Sequence, residues 1–195
     1  MPNRLALTRS LLLLPLMLAA CSTPPSASRA VLDEHSGVTI NAVAAPLVFG
    51  RIHRDVKSAA RDYVTLVAAE QDNAGKYTQL LLMYRWSRTF GGQAQQPEQN
   101  AGTLVVVADG REIVMEPLDR VPIDLAHSKA LFLPASDLTV TYAYLTSFET
   151  MRTIADSHEL LVKLPKEHDA PGTPFSLWED GRAALAQLVN QLNGS

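Results

Sequence analysis

The sequence predicts an α+β fold that is mostly antiparallel β, with a short helix and a C-terminal amphipathic helix packed on one twisted sheet or a small β-sandwich. Two observations predict the sheet: β-rich segments are joined by turn residues within 62–86 and again within 103–116. A third observation predicts the packed helix, because apolar residues within 179–192 follow a helical period.

The first hairpin combines residues 62–71 and 76–86 around the polar stretch DNAG, which we expect to be a four-residue loop. Its second strand carries apolar side chains on both faces: Leu80, Leu82, Tyr84 and Trp86 on one face, and Leu81 and Met83 on the other. Apolar residues on both faces predict a strand in the interior of the sheet.

The second hairpin pairs residues 103–108 with 111–116 across Asp109-Gly110, a dipeptide that favours the positive φ angles of a type I′ turn. A further strand is expected at 139–146, where Val140, Tyr142 and Tyr144 share one face by period-two alternation. These segments add at least three strands to the predicted sheet.

Two helices are expected in the last third of the chain. Thr146 and Glu149 have the spacing of a capping box, which predicts that a short helix begins there, before a strand at 158–164. The C-terminal helix presents one apolar face: Ala184, Leu185, Leu188, Val189 and Leu192. Glu179 and Asp180 precede this face, where negative charge favours a helix start.

Length and composition indicate a single globular domain. The chain has 195 residues, of which 47% are hydrophobic and 19% charged, with a formal net charge of −3. Removal of residues 1–20 takes away two arginines and lowers this charge to −5. Because nucleic-acid binding requires cations that displace phosphate counterions, we expect no nucleic-acid partner.

The first 21 residues have the three zones of a secretory signal. Arg4 and Arg9 supply positive charge, an apolar run follows at 11–18, and small residues precede Cys21, the single cysteine of the chain. The apolar run is about half of the roughly 20 residues that a membrane-spanning helix needs. We therefore expect a cleaved signal and no retained membrane span.

The four residues Leu18-Ala19-Ala20-Cys21 resemble the lipobox of bacterial lipoprotein precursors. The resemblance implies that the Cys21 thiol is diacylglycerated, that the signal is cut before Cys21, and that the new N-terminus is acylated. Three acyl chains exceed the two signals that stable membrane anchoring requires. Ser22, where an Asp would favour retention at the inner membrane, implies an outer-membrane destination facing the periplasm.

These features divide the chain into three parts. Residues 1–20 are the signal peptide, residues 21–36 are the lipidated cysteine and a flexible Ser/Pro-rich tether, and residues 37–195 form one globular β-rich domain. The expected location is the cell envelope, with the domain held by a lipid anchor.

No sequence pattern assigns a catalytic residue, a metal site or a cofactor. The five histidines lack the spacing of metal ligands. A deep cleft that gathers two or more of His127, His158, Asp124 and Asp156 would favour an enzyme. Scattered histidines beside an exposed apolar or basic patch would favour a partner-binding role.

One basic segment stands out in this acidic domain. Residues 51–61 form a candidate interaction patch of Arg51, His53, Arg54, Lys57 and Arg61, with a single Asp55. Such a patch can contact an anionic glycan, lipopolysaccharide or an acidic envelope protein. The alternative is a solvated sheet edge whose charges discourage aggregation.

Three functions remain open from the sequence. The first is a non-enzymatic outer-membrane lipoprotein that serves as a binding or accessory component in envelope assembly, secretion or transport. The second is a lipid-anchored hydrolase that acts on peptidoglycan or another glycan. The third is a small-ligand binder that uses an apolar cleft between sheet and helix.

Overall fold

The computed structural model describes residues 28–52, 61–88, 102–132, 134, 139–166 and 172–193. Within these residues the chain forms ten strands and three helices. In chain order they are β1 (Ser28–Asp33), β2 (Val38–Val43), β3 (Leu47–Ile52), β4 (Arg61–Asn73), β5 (Lys76–Arg88), β6 (Leu104–Ala108), β7 (Arg111–Met115), α1 (Ile123–Ala126), β8 (Thr139–Leu145), α2 (Phe148–Asp156), β9 (Leu160–Lys163), β10 (Phe175–Glu179) and α3 (Arg182–Asn193).

The strands belong to one antiparallel sheet, which confirms the predicted fold class and decides for a single sheet over a sandwich. The long strand β4 is its centre. One edge of β4 pairs with β5 over its whole length, and β5 pairs in turn with β8. The other edge is shared, because β3 pairs with residues 61–66 and β2 pairs with residues 69–73.

From β3 the sheet continues through β10, β9 and β6 to β7, while β1 lies outside β2. After β7 the chain returns towards the opposite edge of the sheet. Pro117 forms an isolated bridge with Tyr144 of β8, and the Leu118 N–H donates to the Ala143 carbonyl at 2.8 Å. The sheet therefore curls, and this short contact joins its two arms.

Both predicted hairpins are present, and the interior position of β5 is confirmed by its pairing with β4 and β8. The turn at Asp109-Gly110 has φ angles of 49° and 80°, as a type I′ turn requires. The β4–β5 turn is shorter than the expected four residues. Asp72 and Asn73 stay in the ladder, and only Ala74 and Gly75 turn, with φ of 52° and 86°. A hydrogen bond from the Gly75 N–H to the Asp72 carboxylate, 2.7 Å long, holds this tighter turn.

The short helix α2 begins one residue later than the capping-box prediction. Ser147 is the N-cap, and its hydroxyl accepts from the Thr150 N–H at 3.1 Å. Thr146 lies between β8 and the cap, and its N–H donates to the Gln79 carbonyl of β5 at 3.1 Å. The prediction that Thr146 caps the helix was therefore wrong.

The C-terminal helix α3 packs as its sequence predicts. Leu185, Leu188 and Val189 are buried, and α3 contacts α2, β1 and β2. Helix formation starts at Arg182 rather than at Glu179, because Glu179 is the last residue of β10. The preceding Gly181 lies so close to the link between β2 and β3 that a Cβ atom there would be 2.4 Å from the Ala45 and Pro46 carbonyl oxygens.

The first strand lies within the range 21–36 that we assigned to the tether. Residues Ser28–Asp33 pair with β2 along all six positions, and Val31 packs against the core. The Ser28 hydroxyl also donates to the Gln191 side chain of α3 at 2.8 Å. The described fold therefore starts at Ser28, nine residues before the boundary at 37.

Candidate functional site

The structure describes two members of the basic segment, Arg51 and Arg61. His53, Arg54 and Lys57 lie outside the described residues, as do all residues of the lipobox from Leu18 to Cys21. Arg51 is near the end of β3 and Arg61 is the first residue of β4. In the register Arg51 lies opposite Asp62 and Arg61 opposite Ile52, so the two arginines are on opposite faces of the sheet.

Arg51 is enclosed by the protein. Its guanidinium forms an ion pair with Asp62 at 3.3 Å and lies 4.2 Å above the centre of the Phe175 ring. Only 9% of its side chain is exposed. Asp62 is held from the other side by the Ser87 hydroxyl at 2.8 Å. Because its charge is paired and buried, Arg51 joins β3, β4 and β10 together and does not contribute to a solvated patch.

Arg61 has a different environment on the other face. Its guanidinium lies 4.5 Å above the ring of Trp178, a side chain that is 54% exposed. Among the described residues, no ion pair engages Arg61. A cation over an indole face is stabilised by the negative charge of the ring surface and keeps its outer N–H groups directed at solvent. Arg61 is therefore an available positive charge.

The aromatic neighbours of Arg61 come from three strands. The Tyr63 ring stacks on Trp86 with centroids 4.2 Å apart and planes 13° apart, and it meets Trp178 edge-on at 6.3 Å. We call Arg61, Tyr63, Trp86 and Trp178 the aromatic cluster. Offset stacking and edge-to-face contacts are the favoured geometries of aromatic pairs. The cluster is therefore a rigid surface rather than a set of independent side chains.

Gly50 provides the space in which the aromatic cluster assembles. It pairs with Tyr63 in the register, and a Cβ atom at Gly50 would be 3.4 Å from the Tyr63 ring. The aromatic ring thus covers the glycine of the neighbouring strand, a pairing that compensates for the missing side chain. Trp86 is fixed by a hydrogen bond from its indole N–H to the Thr65 hydroxyl, 3.0 Å long.

The two aromatic residues near the end of β5 differ in burial. Tyr84 belongs to the core, and burial raises its pKa to about 12. Trp86, two residues on, is half-buried and lies in the aromatic cluster. Sequence reasoning missed Tyr63, Trp178 and Ile52, of which Ile52 is 65% exposed beside Arg61. Trp178 carried a signal in the alternation of the stretch FSLWE, residues 175–179.

Of the four residues proposed to mark an enzyme cleft, Asp124 has a side-chain partner in the structure, and His158 is bonded through its backbone to Asp109. The Asp124 carboxylate accepts from the Gln71 side chain at 3.1 Å. The Asp109 carboxylate accepts from the backbone N–H groups of Glu159 and His158 at 2.8 and 2.9 Å, and these bonds hold its pKa below the ordinary value. Within the described ranges, no group of three His, Cys, Asp or Glu residues is arranged to hold a metal ion.

A cavity between the sheet and α3 tests the idea of an apolar ligand cleft. It is lined by Val43, Ala45, Leu47, Leu66, Ala68, Leu81, Gly181 and Leu185. Its volume of about 10 Å³ holds roughly one water molecule. Sites for drug-sized ligands need some 300 to 1,000 Å³. This cavity is therefore a packing defect and not a small-molecule site.

The aromatic cluster is thus the candidate functional site. It offers exposed apolar surface and one available cation, which suits binding rather than proton transfer or nucleophilic attack. None of the helices in the described part of the chain has the length and apolar character needed to cross a membrane. Comparison with protein-family models, with curated proteins and with solved structures finds no match to this chain.

Proposed function

We propose that the chain is a lipid-anchored lipoprotein of the bacterial cell envelope, held at the outer membrane and facing the periplasm. Its β-rich domain is a non-enzymatic binding component that contacts an anionic constituent of the envelope. One observation carries this proposal: the lipobox Leu18-Ala19-Ala20-Cys21 follows a charged and apolar signal and precedes a Ser/Pro-rich stretch.

The position of the first strand is compatible with an anchor at Cys21. Only six residues separate Cys21 from Ser28, where β1 begins. Among the described residues, the buried hydrophobic side chains lie between Val38 and Val189. Cleavage before Cys21 would therefore remove none of them.

The aromatic cluster supports a binding role for the domain. Trp and Arg are enriched in the energetically dominant parts of interfaces, because they combine large apolar area with charge and hydrogen-bond donors. Here Trp178 and Arg61 are adjacent and accessible, in a domain whose mature form carries net negative charge. The available charge of the site favours an anionic partner.

The anchor is tested by Cys21→Ser in the full-length precursor. The expected result is loss of acylation at the N-terminus, seen by mass spectrometry of the N-terminal peptide, and release from membranes washed at high salt. Ser22→Ala is the matched control, because it changes the adjacent hydroxyl and leaves the thiol in place. An unmodified Cys21 in the membrane-bound wild-type protein would refute the anchor.

The binding role is tested by cross-linking of the intact protein in membranes, followed by purification under conditions that keep covalent adducts. Trp178→Ser is expected to lose the adducts that wild-type protein forms, whereas Tyr77→Ser, an equally exposed aromatic at 56%, is expected to keep them. Hydrolysis of purified peptidoglycan by the wild-type domain would instead favour an anchored hydrolase.

A further inference from the structure

The aromatic cluster lies at one end of the sheet, where β3 ends and β4 begins. Two large apolar side chains are exposed there on the same face as Arg61: Ile52 at 65% and Trp178 at 54%. We call Ile52, Arg61 and Trp178 the aromatic end. Exposed apolar groups that flank a guanidinium form an amphipathic surface. Trp side chains are enriched at membrane–water interfaces, where the amphipathic indole lies at the level of the lipid headgroups.

The opposite end of the sheet has the reverse charge. The β1–β2 turn and the β4–β5 turn both lie there, because Val38 pairs with Asn73. These turns carry the carboxylates of Asp33, Glu34 and Asp72 against the single ammonium of Lys76. The sheet is therefore polarised along its strands, with negative charge at the turns and available positive charge at the aromatic end.

The direction of β1 relates this polarity to the N-terminus. Ser28 pairs with Val43 and Asp33 pairs with Val38, so β1 runs from the middle of the sheet towards the acidic turns. The chain before Ser28 consequently joins β1 on the side that faces the aromatic end. A link that continued in this direction would place Cys21 on the same side of the domain as Trp178.

The length of the link agrees with this arrangement. Cys21 precedes Ser28 by seven residues, which span at most about 25 Å when extended. Arg29 pairs with Ala42, which pairs with Ala69, so Ser28 is level with Ala68 of β4. Arg61 is seven residues further along that strand, or about 23 Å away. An acyl chain on Cys21 and the aromatic end can therefore reach the same plane, with little slack left between them.

We propose that the aromatic end docks on the anionic phospholipid surface of the membrane that holds the anchor. Trp178 and Ile52 enter the headgroup region, and Arg61 pairs with lipid phosphate. This inference rests on the proposed function for the identity of the anchor, and it names the anionic constituent that the domain contacts. The acidic turns then point away from the membrane, because like charge repels them from it.

A lipid surface fits these residues better than an anionic glycan does. A sugar site needs several hydrogen-bonding groups around the stacking ring, since each hydroxyl must be satisfied. The Thr65 hydroxyl, which lies on the same face as the cluster, is already used within the protein, because it accepts from the Trp86 indole N–H. Ile52 offers only apolar area, which is stabilised by lipid and not by carbohydrate.

The test uses residues 22–195, which lack Cys21 and its acyl chains but contain every buried hydrophobic residue of the described part of the chain. Binding is measured by co-sedimentation with vesicles of phosphatidylcholine that contain about one third phosphatidylglycerol, and with neutral vesicles as reference. The wild-type domain is expected to bind the anionic vesicles and to show a blue shift of tryptophan emission. Arg61→Gln is expected to weaken binding about fivefold, and Trp178→Ser or Ile52→Ser about tenfold.

Matched controls come from the acidic end. Tyr77→Ser and Lys76→Gln remove an equally exposed aromatic and a basic side chain there, and both are expected to leave vesicle binding unchanged. Circular dichroism checks that each variant is folded. If Trp178→Ser does not fold, Ile52→Ser replaces it as the test variant. Equal loss in the Tyr77 and Trp178 variants would overturn the proposal.

Two other outcomes would also overturn it. Binding to soluble alginate without binding to anionic vesicles would assign the aromatic end to a glycan, and binding to neither would leave it without an anionic partner. Because the domain tested carries no acyl chain, these failures are distinct from failure of the anchor. The lipid anchor is tested separately, by the modification of Cys21.

Discussion

Substitution of Gly181 by alanine tests how α3 is seated on the sheet. Gly181 precedes α3 and approaches the link between β2 and β3, where an added Cβ would be 2.4 Å from the Ala45 carbonyl oxygen, 2.4 Å from the Pro46 oxygen and 2.6 Å from the Pro46 carbonyl carbon. Ordinary contacts of a Cβ start at about 3.4 Å, so the two backbones must separate by roughly 1 Å. The backbone fixes the position of a Cβ, and its neighbours here are backbone atoms, so no side-chain rotation can relieve the clash.

The cost of this separation follows from what α3 buries. Overpacking of a well-filled site costs about 1–3 kcal/mol, and a rigid backbone neighbour gives a value near the top of this range. Moving α3 outwards also withdraws Leu185, Leu188 and Val189 from the core, each of which contributes about 1.5–3 kcal/mol when fully buried. We expect Gly181→Ala to lower the free energy of unfolding by about 3 kcal/mol, which lowers Tm by about 6–12 °C in a domain of this size.

Urea unfolding followed by tryptophan fluorescence measures this change on residues 22–195. Gly50→Ala is the matched control, because it makes the same substitution where the added Cβ would contact the Tyr63 ring at an ordinary 3.4 Å. We expect Gly50→Ala to change the free energy of unfolding by less than about 1 kcal/mol. A Gly181→Ala variant within about 0.5 kcal/mol of wild type would refute the close approach of α3 to the β2–β3 link.

Three further predictions concern charge, burial and the first strand. Asp62→Asn removes the carboxylate charge that pairs with the buried Arg51 guanidinium and is expected to lower the free energy of unfolding by about 2–4 kcal/mol in urea titrations. An unchanged midpoint would mean that this ion pair contributes nothing. Burial raises the pKa of Tyr84 to about 12 from an unfolded value near 10, so the folded state retains this proton while the unfolded state loses it. Stability is therefore expected to fall as pH rises from 10 to 12, and Tyr84→Phe should reduce this fall when unfolding midpoints are compared across that range. Removal of β1, by starting the chain at residue 34, exposes the edge of β2. This shortened chain is expected to have a lower Tm than residues 22–195 and to aggregate, as measured by light scattering. Equal Tm values would count against a structural role for β1.

Local sequence patterns predicted the parts of the fold that depend on neighbouring residues. The Asp109-Gly110 turn, the two-sided apolar pattern of β5 and the apolar face of α3 all have a local physical cause, and all are present in the structure. The strands β2, β3 and β10 are short and carry weaker patterns, and β3 also contains Gly50 and Arg51. Their pairing partners lie up to about 130 residues away, which no local pattern encodes.

The candidate site was less predictable for the same reason. The sequence of the basic segment predicts a continuous patch of positive charge. In the structure, the register places Arg51 against Asp62 and Phe175. Among the described residues of this segment, only Arg61 remains available. The aromatic cluster joins β4 and β5 to Trp178, which follows Trp86 by 92 residues. Only the long-range pairing of β10 with β3 brings these rings together.

The direction of β1 has a mechanical consequence. A pulling force applied through the N-terminus reaches the described fold first at Ser28, the start of a strand at the outer edge of the sheet. A force along the strand, away from Asp33, runs perpendicular to the hydrogen bonds between β1 and β2 and loads all six residue pairs in shear. A force perpendicular to the strand, in the plane of the sheet, would break the same residue pairs one after another. The domain should therefore resist tension applied along its strands far better than tension applied across them.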